Sequence, residues 1–140
     1  MRSIRPSAFL KTVLIADAAA SGAVAVLQLV AANWLSQRSM LPHALLVGTG
    51  AFLVIYAAML TWLARRTTVW SAVVGTVVLG NVAWAVACVA LVLGQASTLS
   101  GLGVAFVAVH AVAVLLFAAL EYSGLRASTP ERRAYASATS

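Results

Sequence analysis

Four long apolar runs, about 9–32, 42–64, 69–94 and 99–122, leave this chain few ways to fold. Crossing the hydrocarbon core of a bilayer takes about 20 helical residues, and each run supplies that many. Backbone inside a bilayer must satisfy its own hydrogen bonds, which leaves helices or closed barrels. The runs are continuously apolar rather than alternating, so they read as helices. Only 9% of the 140 residues are charged and 63% are hydrophobic, against about 25% charged in a soluble domain. A chain this short cannot hide so much apolar surface from water. The expected fold is all-α: a polytopic membrane protein with four transmembrane helices. They form one domain over 1–122, followed by a basic, mobile tail over 123–140.

The punctuation between runs agrees. Pro6, Pro42 and Pro130 lie outside the helix interiors, and Pro42 sits in the first turn of the second span, where its missing N–H costs nothing. Asn33-Trp34 closes the first run. Arg65-Arg66-Thr67-Thr68 and Gly94-Gln95-Ala96-Ser97-Thr98 are short connections, which favour antiparallel neighbours and hence an up-down-up-down bundle.

Charge sets the direction. Arg2, Arg5, Lys11, Arg65, Arg66, Arg126, Arg132 and Arg133 fall on one side, and of the nine basic residues only Arg38 falls on the other. The positive-inside rule makes the first side cytoplasmic, with both termini there, in a cell inner (plasma) membrane. Trp62, Trp70 and Tyr122 near that face, and Trp34 near the other, read as interfacial anchors. The net charge of +6 is explained by orientation and by contact with anionic lipids. No basic patch with interleaved aromatics follows a phosphate backbone, which argues against nucleic acid. A cleaved signal peptide is the rival reading of the first run, but Asp17 interrupts its apolar core and the run continues to Ala32.

Intramembrane polar residues are the candidates for function. Asp17 stands about 12 Å along the first helix, where a carboxylate facing lipid costs at least about 2.5–3.5 kcal/mol. Ser21 and Gln28 share its helix face, which must turn toward protein. Tyr56 in the second helix lies at the same depth, so the two should be neighbours. Asn81 in the third span and His110 in the fourth lie at matching depths and are expected to pair, directly or through water. Glu121, near the end of the fourth, is expected to pair with Arg126 or Lys11. The candidate polar site is therefore Asp17, Tyr56, Asn81 and His110, with Ser21, Gln28 and Glu121 secondary. Ala18-x-x-x-Gly22 and Ser21-x-x-x-Ala25 allow close helix approach within the bundle or in a homo-oligomer.

No acyl-transfer triad, paired carboxylates or phosphate-cradling loop is visible, and no cofactor or metal is expected. Cys88 is single, which excludes an intramolecular disulfide. Haem held between His43 and His110 would need ligands of similar depth, yet these differ by about 12 Å. Three function classes follow. The leading one is a non-enzymatic scaffold, accessory subunit or regulator of a larger membrane protein. The others are a small oligomeric proton-coupled transporter or channel using Asp17, and a membrane redox or haem-binding protein. In its four-helix size and in carrying an acidic residue in the first helix, the chain resembles the small multidrug-resistance transporters. Asp17 stands in Ile15-Ala16-Asp17-Ala18-Ala19 where that family has a glutamate, and the family's aromatic and glycine pattern in helix three is not matched. In its Ala/Val richness the chain looks like small membrane proteins of high-GC bacteria.

Overall fold

A computed structural model describes residues 3–95 and 97–130. In chain order these form β1 (Ser3–Arg5), α1 (Ala8–Val30), α2 (Ala32–Ser39), α3 (His43–Arg65), β2 (Val69–Trp70), α4 (Ser71–Gly94), α5 (Gly101–Arg126) and β3 (Thr129–Pro130). The fold is all-α, and α1, α3, α4 and α5 are each long and apolar enough to cross a membrane. Their outer faces carry large hydrophobic side chains such as Ile55, Leu79, Val109 and Val112, which implies contact with lipid.

The helix boundaries follow local chemistry. Ser7 caps α1, its hydroxyl accepting from the Leu10 N–H at 3.1 Å, and Ser100 caps α5 by accepting from Gly103 N–H at 3.1 Å. Each satisfies an N–H that has no partner in the first turn. Two boundaries depart from expectation. The segment expected to be loop after the first run is the short helix α2, closed by Met40 in the left-handed region at φ 61°. The fourth span continues past Tyr122 to Arg126, and Thr129–Pro130 then pairs with β1. Residues 131–140 of the expected tail lie outside the described residues.

The strands form a small antiparallel sheet in the order β2-β1-β3, which the apolar periodicity does not announce. The sheet brings the N-terminal segment, the α3–α4 connection and the end of α5 to one end of the molecule. At the opposite end the Ser100 hydroxyl donates to the Arg38 carbonyl at 2.6 Å and the Ser100 N–H to that of Ser39 at 3.2 Å. These two sets of contacts tie together segments distant in sequence at each end of the bundle.

Packing makes α1 the central helix. It lies along α3 and α5, α4 pairs with α5, and α3 and α4 meet through side chains, Tyr56 with Asn81 and Phe52 with Trp84. Leu10, Leu14, Asp17, Ala18, Ser21, Ala25 and Gln28 are buried along its length, the three-and-four spacing of one helix face. Small residues let the backbones approach. A Cβ on Gly50 of α3 would lie 3.0–3.1 Å from Leu29 and Gln28, and one on Gly124 of α5 would lie 3.0 Å from the Leu10 backbone. Two apolar clusters fill the bundle. The larger, around Leu10, Leu14, Leu60, Leu63, Val74 and Val77, closes the sheet end. The smaller, Leu35, Leu41, Leu46 and Val107, lies toward the opposite end.

Candidate functional site

Between the two apolar clusters the bundle holds a cluster of polar side chains drawn from all four long helices. Asp17 on α1 is 1% exposed and Glu121 on α5 is 0% exposed. Both accept hydrogen bonds from the same amide: Asn81 Nδ2 on α4 donates to Asp17 Oδ2 at 3.2 Å and to Glu121 Oε2 at 3.1 Å. The Tyr56 hydroxyl on α3 lies 3.0 Å from Asp17 Oδ2 and 3.0 Å from Asn81 Oδ1. One turn along α1, the Ser21 hydroxyl donates to Asp17 Oδ1 at 3.0 Å.

Helix direction explains how Glu121 reaches this level. The contact of Gly124 with Leu10 aligns the two helices near the sheet end. From there Asp17 lies seven residues farther and Glu121 only three, a difference in rise of about 6 Å. Every Cα–Cβ bond tilts toward its helix N-terminus. In the antiparallel pair Asp17 therefore leans back toward the sheet end while Glu121 leans away from it, and the longer glutamate side chain covers the rest.

Apart from each other, the described partners of the two carboxyls, Ser21, Tyr56 and Asn81, are all neutral. Two carboxylates bonded to one nitrogen lie within about 6 Å of each other, and burying both as anions without a cation is prohibitive. The cluster must hold a proton or a cation. Its hydrogen-bond arithmetic supplies two arrangements for a proton. Tyr56 has one hydroxyl proton and two acceptors in reach. With Asp17 ionised, the Tyr56 proton points at Asp17. With Asp17 protonated, Asp17 donates to the Tyr56 oxygen and the Tyr56 proton turns to Asn81 Oδ1.

Next to this cluster stand aromatic side chains. Phe52 on α3 stacks on Trp84 of α4 at a ring separation of 5.3 Å, and Trp84 meets His110 of α5 at 6.1 Å with the planes tilted by 60°. Among the described residues three buried polar atoms, Trp84 Nε1, His110 Nε2 and Glu121 Oε1, have no hydrogen-bond partner, an uncommon state for buried groups. Trp84 and His110 line two adjoining cavities. A small one of about 50 Å³ borders Ser21, Tyr56 and Asn81. A larger one of about 330 Å³ extends toward the α2 end between Gln28, Leu45, Thr49, Cys88, Leu91 and Phe106.

Searches among protein-family models, curated proteins and solved structures gave no match. No relative therefore supports a scaffold or accessory-subunit role, and the site has to be read from its own geometry.

The structure brings together Asp17, Ser21, Tyr56 and Asn81 and adds Glu121 to them. Two expectations are corrected. Asn81 spends its amide on Asp17 and Glu121 rather than on His110, because α4 turns it toward α1 and leaves His110 against Trp84. Glu121 does not sit at the interface with Arg126 or Lys11. With α5 extended to Arg126, Glu121 lies a turn deeper and faces inward, while Arg126 lies 5.9 Å over the Tyr122 ring. Gln28 is apart from the cluster, where its Oε1 accepts from Thr49 at 3.1 Å. Trp84, which the sequence places on the same side of the third span as Asn81 and Cys88, was not singled out as a site residue. Its signal was the spacing Asn81-x-x-Trp84-x-x-x-Cys88, which sets a large indole with a polar edge one turn from a central asparagine. No group of three or more metal-ligating side chains occurs among the described residues, and His43 is exposed at the start of α3, apart from His110.

Proposed function

We propose that this protein is a small proton-coupled membrane carrier in which Asp17 and Glu121 hold the coupling proton. The observation that carries this reading is the pair of buried carboxyls joined through one asparagine amide, with only neutral described partners. A purely structural polar contact in a bilayer is served by one asparagine or serine, at a typical gain of about 0.6 kcal/mol. Two carboxyls in one site instead create a group whose charge changes when a proton leaves. Intramembrane ionisable residues of this kind mark ion and proton pathways. The adjoining cavities give such a change something to act on. A molecule in the larger cavity presses on Trp84 and His110, and the smaller cavity joins these to Tyr56 and Asn81, the residues that choose between the two proton arrangements.

The split of basic residues supports both termini on the cytoplasmic side of a plasma membrane, with the sheet end inside. In that orientation the larger apolar cluster seals the cytoplasmic end beneath the carboxyl pair, and the cavity lies in the outer half.

The test is proton flux in vesicles carrying the purified protein and a trapped pH indicator. After a small external acid step, an aromatic ketone (2-acetylnaphthalene) and an organic cation (tetraphenylphosphonium) are offered in turn. At least one should accelerate the indicator response with the native protein and not with Asp17→Asn or Glu121→Gln. Identical responses from native and variant proteins with both compounds would refute the carrier.

A further inference from the structure

We infer that the recess beside Arg66, at the sheet end of the bundle, is a discrete binding site for the phosphodiester of one anionic phospholipid, whose acyl chain lies along the outer face of α3. The site is separate from the carboxyl cluster and holds whether or not that cluster moves protons.

The small sheet shapes the recess. Ser3 pairs with Trp70 and Ile4 with Val69, which sets the N-terminal strand against the α3–α4 connection. A hollow of about 420 Å³ lies there, and its better buried lining, Leu63 of α3 and Val73 of α4, is apolar. Ser3, Trp62, Arg66, Thr68 and Trp70 supply its polar groups. Each of these side chains can donate a hydrogen bond, and Arg66 brings five N–H donors and a fixed positive charge. The two described acidic residues, Asp17 and Glu121, are buried within the bundle and do not line the recess. One cation among donors, with no carboxylate beside it, selects an anion. The Arg66 guanidinium lies 4.3 Å from the centre of the Trp62 ring. A guanidinium resting on an aromatic face is steadied by it and keeps its planar fork for paired phosphate oxygens. A zwitterionic headgroup fits less well, because its ammonium adds a second positive charge and finds no carboxylate.

Position selects a lipid over a free anion. Arg66 caps the C-terminus of α3 and Trp70 immediately precedes α4. The recess therefore lies where two helices long and apolar enough to cross a membrane end, at the level of tryptophan anchors and lipid headgroups. Phe52, Ile55, Met59 and Trp62 lead up to it, each at least 40% exposed. They repeat at helical spacing on one face of α3, and Arg66 comes four residues after Trp62. From Phe52 to Trp62 the helix rises about 15 Å, half of a hydrocarbon core of about 30 Å. An apolar track one leaflet long that ends at a cationic recess matches an amphiphile with an anionic head. The diffuse attraction of a basic protein end for anionic lipid needs neither the track nor the recess.

Native mass spectrometry of the full-length protein, released from neutral detergent micelles, reads the affinity of the first bound lipid. The probes are phosphatidylglycerol and phosphatidylcholine with identical acyl chains. Phosphatidylglycerol should bind about tenfold more tightly, and Arg66→Gln should remove that advantage, as expected for hydrogen bonds to a charged group. Arg66 is exposed, so glutamine there leaves the core intact. Arg65 carries the same charge one residue away, is also exposed, and does not line the recess. Arg65→Gln should therefore keep most of the preference for phosphatidylglycerol. Inorganic phosphate, added in excess over the lipid, should leave the lipid complex intact. Equal binding of the two lipids by the native protein overturns the site. Equal losses in the two arginine variants also overturn it, since they show diffuse attraction, and displacement of the lipid by inorganic phosphate shows a site for the free anion instead.

Discussion

Replacing Asn81 with leucine asks how much the carboxyl pair depends on its shared donor. Leucine has the same branched heavy-atom framework as asparagine, so the change removes hydrogen bonds without opening a cavity. With Asp17 protonated and the Tyr56 proton turned to Asn81, three are lost: to Asp17 at 3.2 Å, to Glu121 at 3.1 Å, and from Tyr56 at 3.0 Å. At about 0.6 kcal/mol for an average intramembrane side-chain bond, these sum to roughly 2 kcal/mol. The loss falls unequally. Asp17 keeps Ser21 and Tyr56, but Glu121 Oε1 already lacks a donor among the described residues and Oε2 then loses the amide. Stripping a buried carboxyl of its donor adds about 1–3 kcal/mol, for a total of about 3–5 kcal/mol. Reversible unfolding in mixed micelles at rising dodecyl sulfate fraction, followed by helical circular dichroism, gives the number. Glu121→Met, which fills similar space without polar atoms, supplies the second edge of a double-mutant cycle. With no carboxyl left to strand, the double variant should be more stable than the sum of the singles implies, by about 1–3 kcal/mol. Additivity within about 0.5 kcal/mol, or a cost for Asn81→Leu below about 1 kcal/mol, would show that the amide does not bridge the pair.

Three further outcomes follow from particular contacts. Gly48→Ala adds a Cβ with nothing within 4 Å and should gain up to about 1 kcal/mol of helix propensity; Gly124→Ala places its Cβ 3.0 Å from the Leu10 backbone and should be neutral or destabilising in the same unfolding assay. Ser100→Ala removes both the cap of α5 and the bond to the Arg38 carbonyl; it should cost about 0.5–2 kcal/mol, with faster amide exchange at Gly103. In a Cys88→Ser background, Gln37→Cys should react with a membrane-impermeant maleimide from outside the cell and Thr67→Cys only after permeabilisation; labelling of both from one side would contradict the orientation.

The four spans could be read from the sequence because each is a local sum: about 20 consecutive apolar residues reach across a bilayer whatever surrounds them. The buried face of the first helix was legible for a related reason. Asp17, Ser21 and Gln28 repeat at helical spacing, and polar groups that cannot face lipid must face protein. The neighbourhood of Asp17 and Tyr56 followed from counting helical rise from a common end, and the two oxygens lie 3.0 Å apart.

Which polar side chains meet across helices was not local. It depends on how each helix is rotated and how far it slides along its neighbour. Those are set by contacts distant in sequence: Gly50 on Gln28 and Leu29, Gly124 on Leu10, and a sheet joining β1 to β2 and β3. A depth count placed Asn81 and His110 at one level but could not say that α4 turns Asn81 toward α1. Glu121 was assigned to the interface because polarity rises after Tyr122, although it stands on the stripe Val107, Ala111, Val114, Ala118, Glu121, Gly124 that α5 buries. Sequence by itself determined that the chain has four helices long and apolar enough to cross a membrane and that Asp17 needs a partner. Only the tertiary structure decided that the partners are Asn81 and, through it, Glu121, because a hydrogen bond forms over about 3 Å while hydropathy is averaged over a whole span.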